Sequence, residues 1–279
     1  MPRAVNTNIV MTFNVMQGGG DRRHRIIDQI AQSNATIVGL TEIRRNNLDK
    51  WVDSLTRLGY THIEHSCPEG PGHEKTQSVL IASRVPLQRV PLEAVEDPAR
   101  WVAVYAPSLD VDVLCVHIPG TPDNKVRPGT HSLLGVERKR MMWEAVMRYV
   151  RPRKDQRLIL MGDFNTGRND IDKTPAGTAY KCAEFIDQLE ALGFFDTFRT
   201  LHPAKQEYTW FSKSTRGRRR DLNGFRLDHI YVSTALSYGI VTAEHIHHVR
   251  GLVAEGGLSD HAIVIAELDL TVMALDLIA

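Results

Sequence analysis

The chain has 279 residues, of which 42% are hydrophobic and 24% charged, and its formal net charge is +1. This composition is ordinary for a globular protein, and so small a net charge excludes a molecule-wide field that attracts polyanions. The three cysteines, Cys67, Cys115 and Cys182, are too few for a disulfide framework, so we expect buried thiols in a reducing compartment. Residues 1–8 lack the apolar stretch of a signal peptide, and no run approaches a membrane helix. We therefore expect a cytoplasmic protein without membrane contact.

The pattern of apolar residues predicts strands and helices in a mixed order along the chain. Strands are expected at 9–15, 36–40, 60–65, 77–83, 101–106, 111–117, 157–162, 226–233, 240–249 and 261–270. Helices are expected at 22–33, 47–58, 136–150 and 179–192. No Pro/Gly/Ser-rich linker divides the chain. The sequence therefore predicts one α/β domain over residues 1–279, with two packed sheets and helices outside them.

Polar side chains stand where several predicted strands begin or end. Residues 157–166 read RLILMGDFNT, in which a continuous apolar run, typical of a strand buried on both faces, stops before Asp163 and Asn165. Turn chemistry alone would explain one such boundary. Six predicted strands, however, carry a carboxylate, amide or imidazole group at a boundary. These residues are Asn14, Glu42, His117, Asp163, Asn165, Asp228, Asp260 and His261.

Three of these residues suit a hard divalent cation. The carboxylates of Glu42 and Asp260, with Asn14 nearby, offer the oxygen ligands that Mg²⁺ and Mn²⁺ prefer. Zinc fits less well, because no set of cysteines or histidines has zinc-site spacing. We therefore expect Mg²⁺ or Mn²⁺ as the cofactor.

The other five residues suit catalysis at a phosphoester. Asp228 and His261 would form a carboxylate–imidazole pair that acts as a base or stabilises developing charge. Asp163 would orient or deprotonate water, and Asn165 and His117, as well as Asn14, would donate hydrogen bonds to phosphate oxygens. Together the eight residues predict metal-assisted in-line hydrolysis of a phosphoester.

Six short segments carry a resemblance to a known family. They are FNV (13–15), TE (41–42), HIP (117–119), GDFN (162–165), RLDHI (226–230) and SDH (259–261). In this order they resemble the endonuclease/exonuclease/phosphatase superfamily, and most nearly the exonuclease III-type, apurinic endonuclease-like nucleases. The resemblance runs from residue 9 to about residue 268. It implies a four-layer α/β sandwich, two packed mixed β-sheets flanked by helices, and metal-dependent hydrolysis of phosphodiester or phosphomonoester bonds.

The resemblance also implies a role for each matching residue. These roles are metal binding by Glu42 and Asn14, handling of the attacking water by Asp163 and Asn165, orientation of His261 by Asp228, and a place in or beside the metal site for Asp260. Two positions depart from the family pattern. Thr41 stands where the family often has Gln, and His117 stands where apurinic endonucleases have Tyr. His at that position is similar to the deoxyribonuclease, sphingomyelinase and phosphatase branches.

A basic segment between two aromatic residues bears on the substrate. Trp210 and Phe225 flank it, as aromatic residues do around the sugar pocket of apurinic endonucleases. The segment's arginines, which would pair with phosphates, are Arg216, Arg218, Arg219 and Arg220. The alternatives are a solvated loop and aromatic side chains that merely pack at a rim. We favour nucleic acid, and DNA in particular, as the partner of a monomer.

Three functions remain open from the sequence. The first is a metal-dependent nuclease acting on DNA, either endo- or exonucleolytic and with or without a preference for abasic sites. The second is a phosphatase or phosphodiesterase of a small or lipid phosphoester, which His117 favours. The third is a non-catalytic nucleic-acid-binding relative, which an intact set of site residues disfavours.

Two further groups of residues are weaker candidates. Cys115 and His117 share one face of a strand, but the apolar context predicts a core thiol, not a nucleophile. His245, His247 and His248 contain metal-binding side chains without an accompanying carboxylate in the sequence. We therefore expect these histidines to lie at the surface or in packing contacts.

Overall fold

The computed structural model describes residues 7–92, 97–120, 135–213, 221–251 and 253–272. The α-helices in these ranges are α1 (Arg23–Ser33), α2 (Leu48–Arg57), α3 (Gly135–Val150), α4 (Glu184–Ala191) and α5 (Thr197–Leu201). The first seven strands are β1 (Thr7–Asn14), β2 (Ile37–Ile43), β3 (His62–His65), β4 (Ser78–Ser83), β5 (Gln88–Arg89), β6 (Trp101–Ala106) and β7 (Val111–His117). The remaining strands are β8 (Leu158–Asp163), β9 (Phe194–Asp196), β10 (Trp210–Lys213), β11 (Asp221–Phe225), β12 (Asp228–Ser233), β13 (Ile240–Ile246) and β14 (Ile263–Asp269).

The strands form two mixed six-stranded sheets and one hairpin. The first sheet has the order β13-β14-β1-β2-β4-β3, and the second has the order β5-β6-β7-β8-β12-β9. Strands β10 and β11 pair with each other as a two-stranded sheet. Within each six-stranded sheet one central pair is parallel, β1 with β2 and β7 with β8, and the other pairs are antiparallel.

The two sheets pack face to face, and helices cover their outer faces. One buried cluster joins side chains of both sheets, such as Val10 and Ile81 with Val113 and Ile159. The sheets approach so closely that a Cβ on Gly39 would lie 2.7 Å from the Met161 side chain. Helices α1 and α2 pack on the first sheet, and α3 and α4 pack on the second. The expected four-layer sandwich of two packed mixed sheets flanked by helices is therefore confirmed.

Local sequence explains why the outer helices face as they do. Helix α2 carries Trp51 and Leu55 four residues apart, so both lie on one face, where both are fully buried. In α1 the same spacing places Ile26 and Ile30 in the core. The expected burial of Cys67, Cys115 and Cys182 is also confirmed, and all three thiols are free. Among the described residues, no helix is both long and apolar enough to cross a membrane.

Several boundaries differ from the sequence prediction. The helix expected at 179–192 begins only at Glu184. Cys182 has a left-handed backbone conformation, with a φ of 65°, which a right-handed α-helix cannot contain. The strand expected at 240–249 ends at Ile246, since His247 and Arg250 form a turn closed by a 2.9 Å hydrogen bond. Strands β5, β9, β10 and β11 and helix α5 were not expected at all.

Strand direction brings the polar boundaries of the sequence to one edge of the sandwich. In the first sheet β1 and β2 are parallel and end at Asn14 and just after Glu42, whereas antiparallel β14 begins near His261. In the second sheet parallel β7 and β8 end at His117 and Asp163, which face each other in register. Antiparallel β12 starts at the same edge. The fold therefore gathers these groups without any of them being adjacent in sequence.

Candidate active site

A cleft of about 560 Å³ lies at this edge, between the ends of the two sheets. Ten of the residues singled out from the sequence line the cleft or lie directly behind it. Those that line the cleft are Glu42, His117, Asp163, Asn165 and His261, together with the aromatic Trp210 and Phe225. The other three lie behind the lining, each hydrogen-bonded to a residue of the cleft. They are Asn14, Asp228 and Asp260.

The amide of Asn14 links carboxylates from both sheets. Its Nδ2 donates to Asp163 Oδ2 at 2.9 Å and to Glu42 Oε1 at 3.3 Å, while its Oδ1 accepts from the Met16 N–H. Glu42 has a φ of 63° and lies where β2 slips its register against β4. Such a bulge redirects a side chain, and here it presents the Glu42 carboxylate to the cleft. Asn14 therefore acts in this arrangement as a donor that holds the two carboxylates together.

Asp163 ends β8 where a glycine permits close strand contact. A Cβ on Gly162, whose φ is 135°, would lie 1.9 Å from the Val116 carbonyl oxygen, so only glycine fits there. The next residue, Asp163, is almost fully buried and lies opposite Asp228 in the antiparallel β8–β12 pair. Burial, followed by the neighbouring charge of Asp228, raises the pKa of Asp163 to about 7. The backbone N–H of Asn165 donates to Asp163 Oδ1 at 2.9 Å and partly offsets that rise.

His261 and Asp228 form the carboxylate–imidazole pair expected from the sequence. His261 Nδ1 lies 2.8 Å from Asp228 Oδ2, which also accepts a 2.6 Å hydrogen bond from the Thr209 hydroxyl. Burial alone would lower the pKa of His261, but the charge of Asp228 and its hydrogen bond raise that pKa well above the ordinary value. The imidazole is therefore held as a cation whose other nitrogen, Nε2, is left for a ligand in the cleft.

His117 and Asn165 complete the polar wall. His117 Nε2 lies 3.6 Å from Asp163 Oδ2. Burial, followed by the charge of Arg100, lowers the pKa of His117 well below the ordinary value, so its ring is neutral. Asn165 has a φ of 47°, and its Nδ2 donates to the Ile118 carbonyl at 2.9 Å. This bond fixes the amide at the end of the strand that carries Asp163.

The β10–β11 hairpin supplies the aromatic side of the cleft. Trp210 and Phe225 are cross-strand partners, with ring centroids 5.9 Å apart. The Trp210 indole N–H donates to Asp260 Oδ2 at 3.0 Å, so the hairpin is tied to the start of the last strand. Tyr180 packs edge-on against Phe225, with centroids 5.7 Å apart. The basic residues Arg216, Arg218, Arg219 and Arg220 lie outside the described residues.

Thr209 and Lys139 are among the residues of the site that were not expected from the sequence. Thr209 is fully buried and bonds Asp228, but no local pattern marks it. Lys139 lines the cleft, and its ammonium donates to the Asn165 main-chain carbonyl. Burial lowers the pKa of Lys139 to about 8. A signal for it did exist, because Lys139 lies three residues before Met142 on the apolar stripe of the expected helix at 136–150.

The chemistry of the donor groups fits a divalent cation. Burial lowers the pKa of Arg22, and the charges of Asp260 and Glu42 oppose that shift, so both carboxylates act on the same guanidinium. Behind the cleft, Asp228 Oδ1 is buried without a hydrogen-bond partner among the described residues. Single ligand atoms of Asp163, Asp228 and His261 lie within 4.8 Å of one another. Oxygen-rich, partly unsatisfied sites of this kind suit hard cations.

The architecture and the cleft define a class of protein: a four-layer α/β sandwich with an acidic, imidazole-containing site at the ends of its central strands. The chain belongs to the endonuclease/exonuclease/phosphatase family, whose sequence model matches residues 11–261. The resemblance seen in the six short segments is thereby confirmed.

The proteins similar to this chain include exodeoxyribonucleases and a 3′ phosphatase. An exodeoxyribonuclease of Bacillus subtilis strain 168 is 34% identical over 134 residues, which are 43% of this chain and 52% of the relative. An exodeoxyribonuclease of Streptococcus pneumoniae strain R6 is 25% identical over 125 residues, 42% of this chain and 43% of the relative. The matches thus span about half the length of these curated relatives.

A solved structure matches over a larger share of the chain. The 3′ phosphatase NExo from Neisseria, bound to a product DNA hairpin, superposes with a TM-score of 0.74 at 25% identity. The match covers 94% of this chain and 99% of that structure.

Proposed function

We propose that this protein is a divalent-metal-dependent phosphodiester hydrolase that cleaves DNA. The observation that carries the proposal is a buried carboxyl, Asp163, whose pKa lies near 7 beside a His261–Asp228 pair, all at the wall of one cleft. A base with a pKa near the working pH combines the correct protonation state with proton affinity. The exodeoxyribonucleases and the DNA-bound phosphatase described above support DNA as the substrate.

Each group of the cleft has a role in the proposed reaction. Asp163 accepts the proton of the attacking water, and the Asn165 N–H and the Asn14 amide hold that carboxylate in place. His261, kept charged by Asp228, donates from Nε2 to a phosphate oxygen, where negative charge develops. Neutral His117 donates a hydrogen bond to the same phosphate group.

Glu42, which Asn14 contacts, and Asp260 would hold Mg²⁺ or Mn²⁺, which when bound would polarise the phosphoryl oxygen. The aromatic pair Trp210 and Phe225 would receive the sugar or base next to the scissile bond. We also propose that residues 1–279 act as one catalytic domain, that the protein is a monomer, and that it works in the cytoplasm.

A second candidate is the removal of phosphate from a DNA end or from a small phosphoester. Two observations favour it: His117 stands where the phosphatase branch has His, and a 3′ phosphatase shares the fold over nearly the whole chain. The same cleft groups would serve either reaction, because both break a phosphorus–oxygen bond.

The deciding experiment uses purified protein on a panel of substrates. Plain duplex, abasic duplex and single-stranded DNA, RNA, a 3′-phosphorylated duplex and a small aryl phosphodiester are each incubated with Mg²⁺, Mn²⁺ or EDTA. We expect metal-dependent cleavage of DNA that EDTA abolishes. Turnover of the aryl ester or the 3′-phosphate alone would favour the second candidate, and turnover that survives EDTA would refute both.

Glu42→Gln is expected to raise the metal concentration required for half-maximal activity. A neutral amide is a poorer ligand than a carboxylate for a hard cation, while the shape of the side chain is kept. Metal titrations of the variant and the parent test this expectation. Glu69→Gln, an exposed position, is the matched control and should titrate as the parent does. Overlapping curves for Glu42→Gln and the parent would remove Glu42 from the metal site.

Replacing Arg216, Arg218, Arg219 and Arg220 together by Ala is expected to flatten the salt dependence of DNA binding. These residues join β10 to β11, whose Trp210–Phe225 pair lines the cleft. Each phosphate neutralised contributes about 0.9 to the slope of log affinity against log salt, so the slope should fall by up to about 3–4.

DNA affinity is measured against salt in an Asp163→Asn background, which prevents cleavage. Arg151→Ala is the control. Arg151 follows the last residue of α3 and therefore lies about 18 Å along the helix axis from Lys139, which lines the cleft. Parallel salt lines for the fourfold variant and the parent would show that the basic segment does not contact DNA.

A further inference from the structure

A second cluster of metal-binding side chains lies outside the cleft. It consists of Glu207, in the loop between α5 and β10, of His245, near the end of β13, and of His247, directly after that strand. One ligand atom from each side chain lies within 4.8 Å of the other two. The sequence offered the two histidines without a carboxylate, and tertiary structure brings Glu207 to them from 38 and 40 residues away. We call this group the histidine–glutamate cluster.

The backbone explains why the two imidazoles converge. Successive side chains of an extended chain point to opposite faces, so His247, which directly follows the last residue of β13, can share a face with His245. His245 Nδ1 lies 2.9 Å and His247 Nε2 lies 3.0 Å from the same oxygen, Glu207 Oε1. Two ring nitrogens and one carboxylate oxygen therefore meet at a point, which is the ligand set of many three-ligand zinc sites.

The spacing of these atoms is close to that of a metal site. Ligands on a tetrahedron with bonds of about 2.0–2.1 Å lie about 3.4 Å from one another. The two nitrogen–oxygen separations in the cluster therefore need to open by only about 0.4 Å to admit a Zn²⁺ ion. A small rotation of the Glu207 side chain, which is 16% exposed, supplies such a shift.

The surroundings hold the ligands and leave a path for an ion. Phe198 stacks on His245, with ring centroids 4.2 Å apart, and fixes a ring whose side chain is fully buried. The His245 Nε2 atom has no partner among the described residues, so the ring is held through Nδ1. His247 is 40% exposed and opens the cluster to solvent. Lys205 pairs with the other Glu207 oxygen at 2.5 Å and would orient a ligating carboxylate from outside the site.

The metal-free cluster is held by two hydrogen bonds. The Nδ1–H of His245 and the Nε2–H of His247 donate to Glu207 Oε1, since a carboxylate can only accept. Binding of Zn²⁺ at these two nitrogens requires each ring to carry its proton on its other nitrogen, and a neutral imidazole can change tautomer in this way.

We propose that Glu207, His245 and His247 form a Zn²⁺ site, separate from the cation site of the cleft. The site would leave its fourth position to water, since the cluster supplies three protein ligands. Glu207 stands two residues before Thr209 and three before Trp210, which bind Asp228 and Asp260. An ion on Glu207 thus fixes the start of the segment that supports the active-site residues.

Zinc uptake by the full chain tests the proposal without any DNA. Zn²⁺ binding is measured by calorimetry and by metal analysis after dialysis, in excess Mg²⁺, which competes at the oxygen ligands of the cleft but poorly at imidazole. The parent is expected to bind one Zn²⁺ more than His247→Ala, or to bind that ion more than about tenfold more tightly. The matched control is His248→Ala, because His248 is exposed and bonds Gln29 at 2.7 Å instead. It should bind as the parent does.

A second variant and a second measurement guard against a folding defect. Glu207→Gln keeps the side-chain shape and should also lose the ion. Saturating Zn²⁺ should raise the melting temperature of the parent and of His248→Ala, but not of the two cluster variants. Equal zinc uptake by the parent and His247→Ala would overturn the proposal, as would an equal loss in His248→Ala. Because no DNA is involved, neither result bears on whether the cleft hydrolyses phosphodiesters.

Discussion

Asp163→Asn is expected to lower the rate of phosphodiester cleavage by about 10²–10⁴-fold, the usual contribution of a positioned general base. Asparagine keeps the shape of the side chain, and its one amide oxygen can still accept the hydrogen bond from the Asn165 N–H. Its NH2 group can accept neither the Asn14 hydrogen bond nor a proton from water. Metal-saturated single-turnover cleavage measures the effect. Asp155→Asn, at a side chain that is 81% exposed, is the control and should cleave as the parent does.

The fold should tolerate this change. Burial and the charge of Asp228 raise the folded-state pKa of Asp163 to about 7, above the unfolded value of about 3.9. The folded protein then binds the extra proton, and ionised Asp163 lowers stability as the pH rises above about 4. In EDTA at pH 7, Asp163→Asn should therefore have an unfolding free energy equal to or above that of the parent. Full cleavage activity in a stable variant would exclude Asp163 from the reaction.

Asp172→Asn is expected to lower the free energy of unfolding by about 3 kcal/mol, the lower end of the effect of breaking a buried ion pair. Asp172 is fully buried and accepts hydrogen bonds of 2.8 and 3.1 Å from Arg226 and of 3.0 and 2.5 Å from Arg199. The lower end applies because Arg226 keeps a second carboxylate, Asp196, at 2.6 Å. Arg226 lies two residues before Asp228, where β12 begins, so the same change should disturb Asp228 and reduce activity.

The pH dependence of this effect has a defined sign. Burial alone would raise the pKa of Asp172, but the charge and hydrogen bonds of Arg226 lower it to about 2. A lowered carboxyl pKa stabilises the fold above the unfolded value of about 3.9, and that stabilisation is lost as the pH falls towards 2. Urea unfolding across this range should show the difference between variant and parent narrowing below about pH 4. Asp170→Asn, at an exposed neighbouring position, serves as the control. If Asp172→Asn were as stable as this control, the bonds of Asp172 to Arg226 and Arg199 would not stabilise the fold.

The pattern of apolar residues along the chain was sufficient to predict most strands and helices of the sandwich. The continuous apolar run at 158–161 predicted a strand buried on both faces. Strand β8 occupies this run, because a strand that is covered on both faces buries every one of its side chains. The β10–β11 hairpin escaped prediction because its second strand contains Asn223 and Gly224, which weaken a strand pattern. Contacts from elsewhere hold it, including a 3.0 Å hydrogen bond from the Thr174 N–H to the Gly224 carbonyl.

The residues of the site were predictable from the sequence, but the contacts between those residues were less so. Asp228 and His261 were expected as a pair, and they lie 2.8 Å apart. Asn14 was expected as a metal ligand, yet its Nδ2 faces Glu42 and Asp163, and its metal role stays a prediction. The buried ammonium of Lys139 at the cleft wall was not expected, because charge on a helix is ordinarily solvated.

By itself the sequence determined the family, the layered architecture and the residue types at the strand boundaries, because periodicity and short motifs are local properties of a chain. Only the tertiary structure decided which of those groups touch. Asn14 meets Asp163 across 149 residues because two separate sheets end at one edge, and Glu207 meets His245 across 38 because a loop returns to the end of β13. Hydrogen bonds and pKa shifts depend on distance and burial in three dimensions, and no spacing along the chain encodes either.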